Sequence, residues 1–283
     1  MFAFTKSWGI SDQFRGNFMV VEKTKHKVVA LVSGGKDSTY NMIRCKQEGH
    51  EIVCLANLYP STGTEIDSHM YQSVGHECIE TIAQVMQLPL YRREIKGKSI
   101  ETKMEYEKNE NDEIEDLYVL LKAVIKHHPD VTAVSVGAIE STYQKNRVEH
   151  VCQRPDISLL PLCYLWKRNQ EELLQEMFEN EIEAITVKVA SCGLNETHLG
   201  KNLQELFPTL KKLHEKYESN ICGEGGEYES LVVNCPLYRE ALIISDMKSV
   251  VLTPDTVAPV VILQLKLHPP KIPPISEQVT IVD

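Results

Sequence analysis

Six consecutive residues, Ser33-Gly34-Gly35-Lys36-Asp37-Ser38, bring together the groups needed to hold a polyphosphate. Gly34 and Gly35 lack the Cβ atoms that keep an anion away from the backbone, and glycine reaches positive φ without strain. The N–H groups so freed point at the anion, and a helix N-terminus behind them adds the positive end of its dipole. Ser33 and Ser38 contribute hydroxyl donors, and Lys36 contributes a cation. Asp37 is the odd member. A carboxylate beside phosphate is repulsive unless a cation intervenes, so it implies Mg2+ bridging Asp37 and the phosphates. The spacing is not the GxxxxGK[ST] of a Walker loop. Five specified residues, each at roughly one in 15, coincide by chance less than about once in 10^3 such scans. The plain alternative is a serine-capped Gly-Gly entry to a helix.

Such a loop works at the carboxyl end of a strand that turns into a helix. The preceding run, Val28–Val32, is β-rich and apolar, and further strand candidates are Ile52–Asn57, Leu90–Ile95, Thr132–Gly137 and Leu159–Leu165. Between them lie segments with apolar residues three and four apart, most clearly Ile114, Leu117, Leu121 and Val124 in a helix over 113–126. Apolar strands separated by helices predict βαβ units and a doubly wound, mostly parallel α/β sheet over 27–165. Beyond Trp166 the rhythm changes to helix Gln170–Glu179, strand Ala184–Ala190, helix Leu203–Tyr217 and the glycine-broken CGEGGEYE at 222–229. Strand runs then follow at Ser230–Val233, Ala241–Ile244 and Pro259–Leu267, predicting a second, smaller α+β domain over 166–267. The tail, 268–283, holds four prolines between 269 and 274 and reads as extended and mobile, a spacer or docking strand at most. Residues 1–26 lack the apolar core of a secretory signal, and Asp12 and Glu22 spoil a mitochondrial presequence. They read as a disordered extension, with Met19 a second possible start.

Forty acids against 30 Lys+Arg give a net charge of -10, which argues against a protein that coats nucleic acid by neutralising phosphates. No apolar run approaches the roughly 18 residues needed to span a bilayer. The expectation is therefore a cytoplasmic protein with neither a membrane nor a direct nucleic-acid partner. Eight cysteines without a CxxC pair read as reduced, buried thiols. His69, His76 and Cys78 come nearest to a metal cluster, but their spacing only partly shares one helix face.

The loop SGGKDS resembles the pyrophosphate loop of the N-type ATP pyrophosphatases, whose fold is of the adenine nucleotide alpha hydrolase-like HUP class. Six further segments narrow the likeness: MYQSVGHE (70–77), PLYRREIKG (89–97), DEIEDLYVLL (112–121), VGAIESTYQKNRVEHVC (136–152), YLWKRNQEELL (164–174) and CGEGGEYE (222–229). Together, over about 27–245, they resemble the diphthine–ammonia ligase family. The resemblance implies ATP and Mg2+ as cofactors, ammonium as nitrogen donor, and diphthine-modified translation elongation factor 2 as protein substrate. It implies amidation of the diphthine carboxylate through an acyl-adenylate, releasing AMP and pyrophosphate, as the last step of diphthamide biosynthesis. Ser33 through Ser38 then bind the departing pyrophosphate, Lys36 and Asp37 act in catalysis, and Ala56 and Asn57 of CLANLY offer backbone groups to adenine. Glu227 joins the catalytic set.

Other residues carry two readings each. Gly137 and Ala138 end a strand and let backbone approach a nucleotide, or make a tight strand exit. Arg147 contacts phosphate, or is a surface cation; Tyr143 and Gln144 sit with it on a helix near substrate. Glu113, Glu115 and Asp116 serve metal or substrate, or merely satisfy a helix N-terminus. CGEGGEYE is a substrate loop contributing Glu224, Gly225, Gly226, Glu227, Tyr228 and Glu229, or an acidic hairpin turn. Diphthine carries a trimethylammonium group, which wants aromatic faces and nearby negative charge. Tyr228 with Glu227 or Glu229, and Trp166, are the candidates for such a cage. On that reading Tyr228→Ala weakens binding of the modified protein and spares ATP. Rival functions are an ATP pyrophosphatase acting on tRNA or on a small carboxylate, and a non-catalytic nucleotide-binding module.

Overall fold

The structure is a computed structural model and describes residues 24–60, 74–100, 103 and 106–283. Most of the amino-terminal extension, His69 and residues 70–73 of the MYQSVGHE segment lie outside the described residues.

Strand β1 (Lys27–Leu31) buries both its faces: Val28 and Ala30 enter one apolar cluster and Val29 the other. That is why its sequence is continuously apolar rather than alternating. It lies between β2 (Glu51–Pro60) and β4 (Ala133–Ser135), and β3 (Leu90–Ile95) and β5 (Leu160–Leu162) flank these on either side. All pairings in this six-stranded sheet are parallel. Its order is β10-β3-β2-β1-β4-β5, with β10 formed by Val279–Ile281 of the proline-rich tail. The chain therefore runs from β1 outward to β3, then returns to the other side of β1 at β4. That reversal makes the carboxyl ends of β1 and β4 a topological switch point, where ligands of open α/β sheets bind.

Helices α1 (Lys36–Gln47) and α2 (Ile79–Met86) cover one face, while α3 (Glu113–His127) and α4 (Thr142–Cys152) cover the other. α5 (Gln170–Glu179) then leads to β6 (Glu183–Val189), α6 (Leu203–Tyr217), β7 (Tyr228–Asn234), β8 (Ile244–Thr253) and β9 (Val260–Leu267). These strands form an antiparallel sheet in the order β7-β6-β9-β8. One apolar cluster runs from Val28, Leu55 and Ile79 into Val189, Leu231 and Leu263, so the small sheet packs directly on the α1–α2 side of the large one.

Two expectations are corrected. The strand run at Ala241–Ile244 is irregular until Ile244, where β8 begins and continues to Thr253. β8 is an edge strand with most side chains exposed, so its apolar residues, Met247, Val251 and Leu252 among them, are not sorted onto a buried face. The tail is not mobile: of the two roles read for it, spacer or docking strand, it takes the second. Its β10 pairs with β3, and Gln84 and Gln87 donate to the carbonyls of Ile272 and Pro273 at 2.7 and 2.9 Å.

Candidate active site

The turn from β1 into α1 takes its shape from glycine. Gly34 has φ +84, a left-handed conformation that L side chains avoid, and Gly35 caps α1 in an extended conformation. The loop's donors are engaged within the protein. Ser33 N–H donates to Ser38 Oγ at 3.3 Å, Gly35 N–H to Ser33 Oγ at 3.3 Å, and Lys36 N–H to Ser230 Oγ at 3.2 Å. These are long bonds to hydroxyls that can rotate away, so an arriving anion can take over the N–H groups.

The second sheet holds the loop from behind. Val232 N–H donates to the Gly34 carbonyl at 2.9 Å. Lys36, almost fully buried, donates through Nζ to the Cys222 carbonyl at 2.6 Å and to Asp37 Oδ2 at 2.8 Å, and its ammonium stands 5.2 Å from the centre of the Tyr228 ring. Burial by itself lowers the Lys36 pKa, but attraction to Asp37, Tyr228 and Cys222 outweighs it and keeps the ammonium charged above the usual lysine range. Burial pushes the Cys222 thiol up to about 12, so it is an inert wall.

Asp37 Oδ1 is buried and has no hydrogen-bond partner in the structure. An orphaned carboxylate oxygen beside a phosphate cradle fits a hard divalent cation. Among the described residues no three His, Cys, Asp or Glu side chains gather around it, so phosphate oxygens and water would complete the shell.

Gly137 explains the close fit of β4 against this loop. A Cβ there would lie 2.6 Å from Ser38 N and 2.8 Å from the Asp37 carbonyl carbon. The glycine is therefore needed for contact with the first turn of α1, which is the tight-exit reading; Ala138 is buried behind it. Asn57 is also inside: its Nδ2 donates to the Val32 carbonyl at 2.9 Å and its Oδ1 accepts from Arg92 Nε at 3.1 Å. The Ala56 carbonyl accepts from Val32 N–H at 3.0 Å, which uses one of its two lone pairs. The last β1 partner on β2 is Ala56, and β2 runs on to Pro60 with no β1 partner.

The acidic loop divides. Glu224 Oε2 accepts from Glu140 N–H at 2.9 Å, just past β4, and burial followed by repulsion from Asp37 raises its pKa above the usual range. Glu227 turns inward, accepting from Asn220 N–H at 2.6 Å and Gly225 N–H at 2.9 Å, and so shapes the loop instead of meeting substrate. Glu229 lies across from Lys188 on β6, 3.2 Å away, as a cross-strand ion pair. Gly225 and Gly226 form the exposed tip.

Tyr228 corrects the cage. It is 3% exposed, its hydroxyl donates to the Ile221 carbonyl at 2.8 Å, and its ring already faces Lys36. Trp166 stands instead against the ammonium groups of Lys145 and Lys167, with ring-centre distances of 5.3 and 5.9 Å. Arg147 is also not a free phosphate ligand. It is fully buried, its guanidinium covers the Tyr143 ring, and Nη2 donates to the Lys103 carbonyl at 3.0 Å. The Tyr143 hydroxyl lies 3.2 Å from Ser99 Oγ, and Gln144 N–H donates to the capping Ser141 Oγ at 3.3 Å. Both hold the start of α4.

At the head of α3, Asp116 accepts from Arg93, Lys96 N–H and Gly97 N–H, and Arg154 grips Glu115 with bonds of 2.7 and 2.6 Å. These acids brace a loop and a helix. Sequence reading missed Ser230, the Cys222 carbonyl and the Glu140 N–H. Only adjacency to recognisable motifs marked them, because backbone carbonyls and contacts between distant segments leave no residue-type signal.

The chain is similar to known proteins over most of its length. Residues 26–159 match the model for the diphthamide synthase N-terminal domain, and residues 169–253 match that for the diphthamide synthase C-terminal domain. The chain is 52% identical over 248 residues to a diphthine–ammonia ligase of Rattus norvegicus, covering 86% of this chain and 92% of the rat protein. It is 50% identical to one of Homo sapiens over the same span. A diphthine–ammonia ligase of Schizosaccharomyces pombe is 50% identical over 225 residues, 79% of this chain but 37% of that longer protein.

Proposed function

The chain belongs to the diphthamide synthase family, and from that premise we propose that it is an ATP-dependent C–N ligase amidating the diphthine carboxylate of translation elongation factor 2 with ammonium. A carboxylate is a poor acyl donor. In the reaction proposed, a carboxylate oxygen attacks the α-phosphorus of ATP, the α–β phosphoanhydride bond breaks, and pyrophosphate departs. Ammonium loses a proton, the ammonia so formed attacks the acyl carbon of the resulting acyl-adenylate, the C–O bond to AMP breaks, and the nitrogen loses a second proton to leave the amide.

The observation that carries this reading is a glycine-floored loop on the large sheet whose Lys36 is held by Asp37 and, from the segment leading into the second sheet, by the Cys222 carbonyl, with Asp37 Oδ1 left unpartnered. Lys36, kept charged by its surroundings, is placed to offset the charge growing on the departing pyrophosphate. The N–H groups of Gly35 and Lys36 bind its oxygens once the serine hydroxyls release them. Asp37, whose Oδ1 is buried without a partner, would hold Mg2+, and the ion would supply neutralisation of phosphate charge. Adenine lies along the β2 backbone beyond Ala56. Glu224 faces the same space and meets the cationic part of the modified substrate. No helix among the described residues is long and apolar enough to cross a membrane.

ATP labelled at the γ position distinguishes the outcomes. With diphthine-bearing elongation factor and ammonium, the label should emerge in pyrophosphate, and Asp37→Asn should abolish its release. Label in orthophosphate, or intact bound ATP with no turnover, would overturn the proposal.

A further inference from the structure

The segment YLWKRNQEELL contributes nothing to the chemistry above, yet one of its residues stands between the three parts of the site. Gln170 is the first residue of α5 and half-buried. Its Nε2 donates to Glu140 Oε2 at 2.8 Å, at the exit of β4. Its Oε1 accepts from Cys222 N–H at 3.0 Å, and its backbone carbonyl accepts from the Cys222 thiol at 3.3 Å. Cys222 in turn gives its own carbonyl to Lys36 Nζ at 2.6 Å. Asn220 Oδ1 shares the Cys222 N–H at 3.1 Å, but it belongs to the same loop and cannot tie that loop to the large sheet.

We infer that Gln170 is a positioning residue for Lys36, acting through the Cys222 carbonyl. The inference rests on the proposed reading of the glycine loop as the pyrophosphate site. A carboxamide suits the place because it donates to a carboxylate from one end and accepts an N–H at the other. A carboxylate at 170 keeps the acceptor for Cys222 but faces Glu140 with like charge at hydrogen-bond range. Pushed apart, α5 and the β4 exit no longer hold Cys222, and the Lys36 ammonium loses the carbonyl that aims it. The groups at AMP's end of the nucleotide, along β2, have no contact with Gln170 and stay in place.

Calorimetric titration of the full chain with magnesium pyrophosphate and, separately, with AMP tests this. Gln170→Glu should weaken pyrophosphate binding about tenfold and leave AMP affinity unchanged, since a charge-assisted contact is misplaced at one end only. The reciprocal pair Glu140→Gln with Gln170→Glu restores a donor facing an acceptor and should bring pyrophosphate affinity back to within about twofold of the parent. Gln170→Ala, which removes both bonds without adding charge, replaces the first variant if that folds poorly. Unchanged pyrophosphate affinity, equal weakening of both ligands, or failure of the reciprocal pair to rescue overturns the inference. If the parent chain binds neither ligand, the reading of the glycine loop falls first and the role of Gln170 with it.

Discussion

Gly137→Ala is the smallest change that separates a glycine needed for packing from one needed for a ligand. The new methyl carbon would lie 2.6 Å from Ser38 N, whereas ordinary contact begins at 3.4 Å. The first turn of α1 must therefore retreat by roughly 0.8 Å, because the atoms it meets are backbone and cannot rotate away. Overpacking of this kind costs about 1–3 kcal/mol. In a protein of this size 2 kcal/mol corresponds to a fall in Tm of roughly 4–8 °C. The displaced atoms carry Asp37 and Ser38, so catalysis should suffer more than stability does. A shift approaching 1 Å costs on the order of 10^2-fold in rate. Thermal unfolding and AMP formation, measured on the same preparation, give both quantities. Gly226→Ala is the control: nothing lies within 4 Å of a Cβ there, and only its φ of +84 is strained. That variant should lose about 1 kcal/mol and keep its rate within a few-fold. Wild-type Tm and turnover in Gly137→Ala would refute the packing argument.

Tyr228→Phe should lose only the 2.8 Å bond to the Ile221 carbonyl, about 1 kcal/mol, with ATP turnover retained. Tyr228→Ala should instead cost about 3–5 kcal/mol and depress ATP binding along with activity, since it removes the ring beneath Lys36; loss of substrate binding alone, with ATP binding intact, would restore the cage. The pH dependence of stability should include His150. Burial, then the neighbouring Arg154, lower its pKa in the fold, so the unfolded chain takes up the extra proton. Its contribution is complete above about pH 6.5, the unfolded value, and is lost as pH falls from there towards the lower folded value. Melting curves between pH 7.5 and 5.5 should therefore flatten in His150→Gln, and an identical slope in that variant counts against the assignment.

Much of this protein is written locally. The strand–turn–helix around Gly34 needs only an apolar run, two glycines and a helix former, and its position at a switch point follows from the βαβ rhythm. The helices Gln170–Glu179 and Leu203–Tyr217 have the bounds their periodicity predicts, because each buries one stripe and begins at a capping asparagine. The fold class is legible for the same reason: strands buried on both faces must be apolar throughout. The bounds of β8 and the pairing of β10 were not legible because edge strands bury little, so apolar residues such as Val251, Leu252 and Ile281 are not sorted into a core-facing pattern. Side-chain roles escaped for another reason. A glutamate in a glycine-rich loop has the same letter whether it reaches across to the Glu140 N–H, as Glu224 does, shapes the turn, as Glu227 does, or pairs across strands, as Glu229 does. Arg147 has a phosphate ligand's chemistry but spends it on Tyr143 and the Lys103 carbonyl. Residue type sets what a group is able to bind. Which partner it meets depends on contacts between segments far apart in the chain, such as Lys36 with the Cys222 carbonyl, and only the packing of the two sheets decides those.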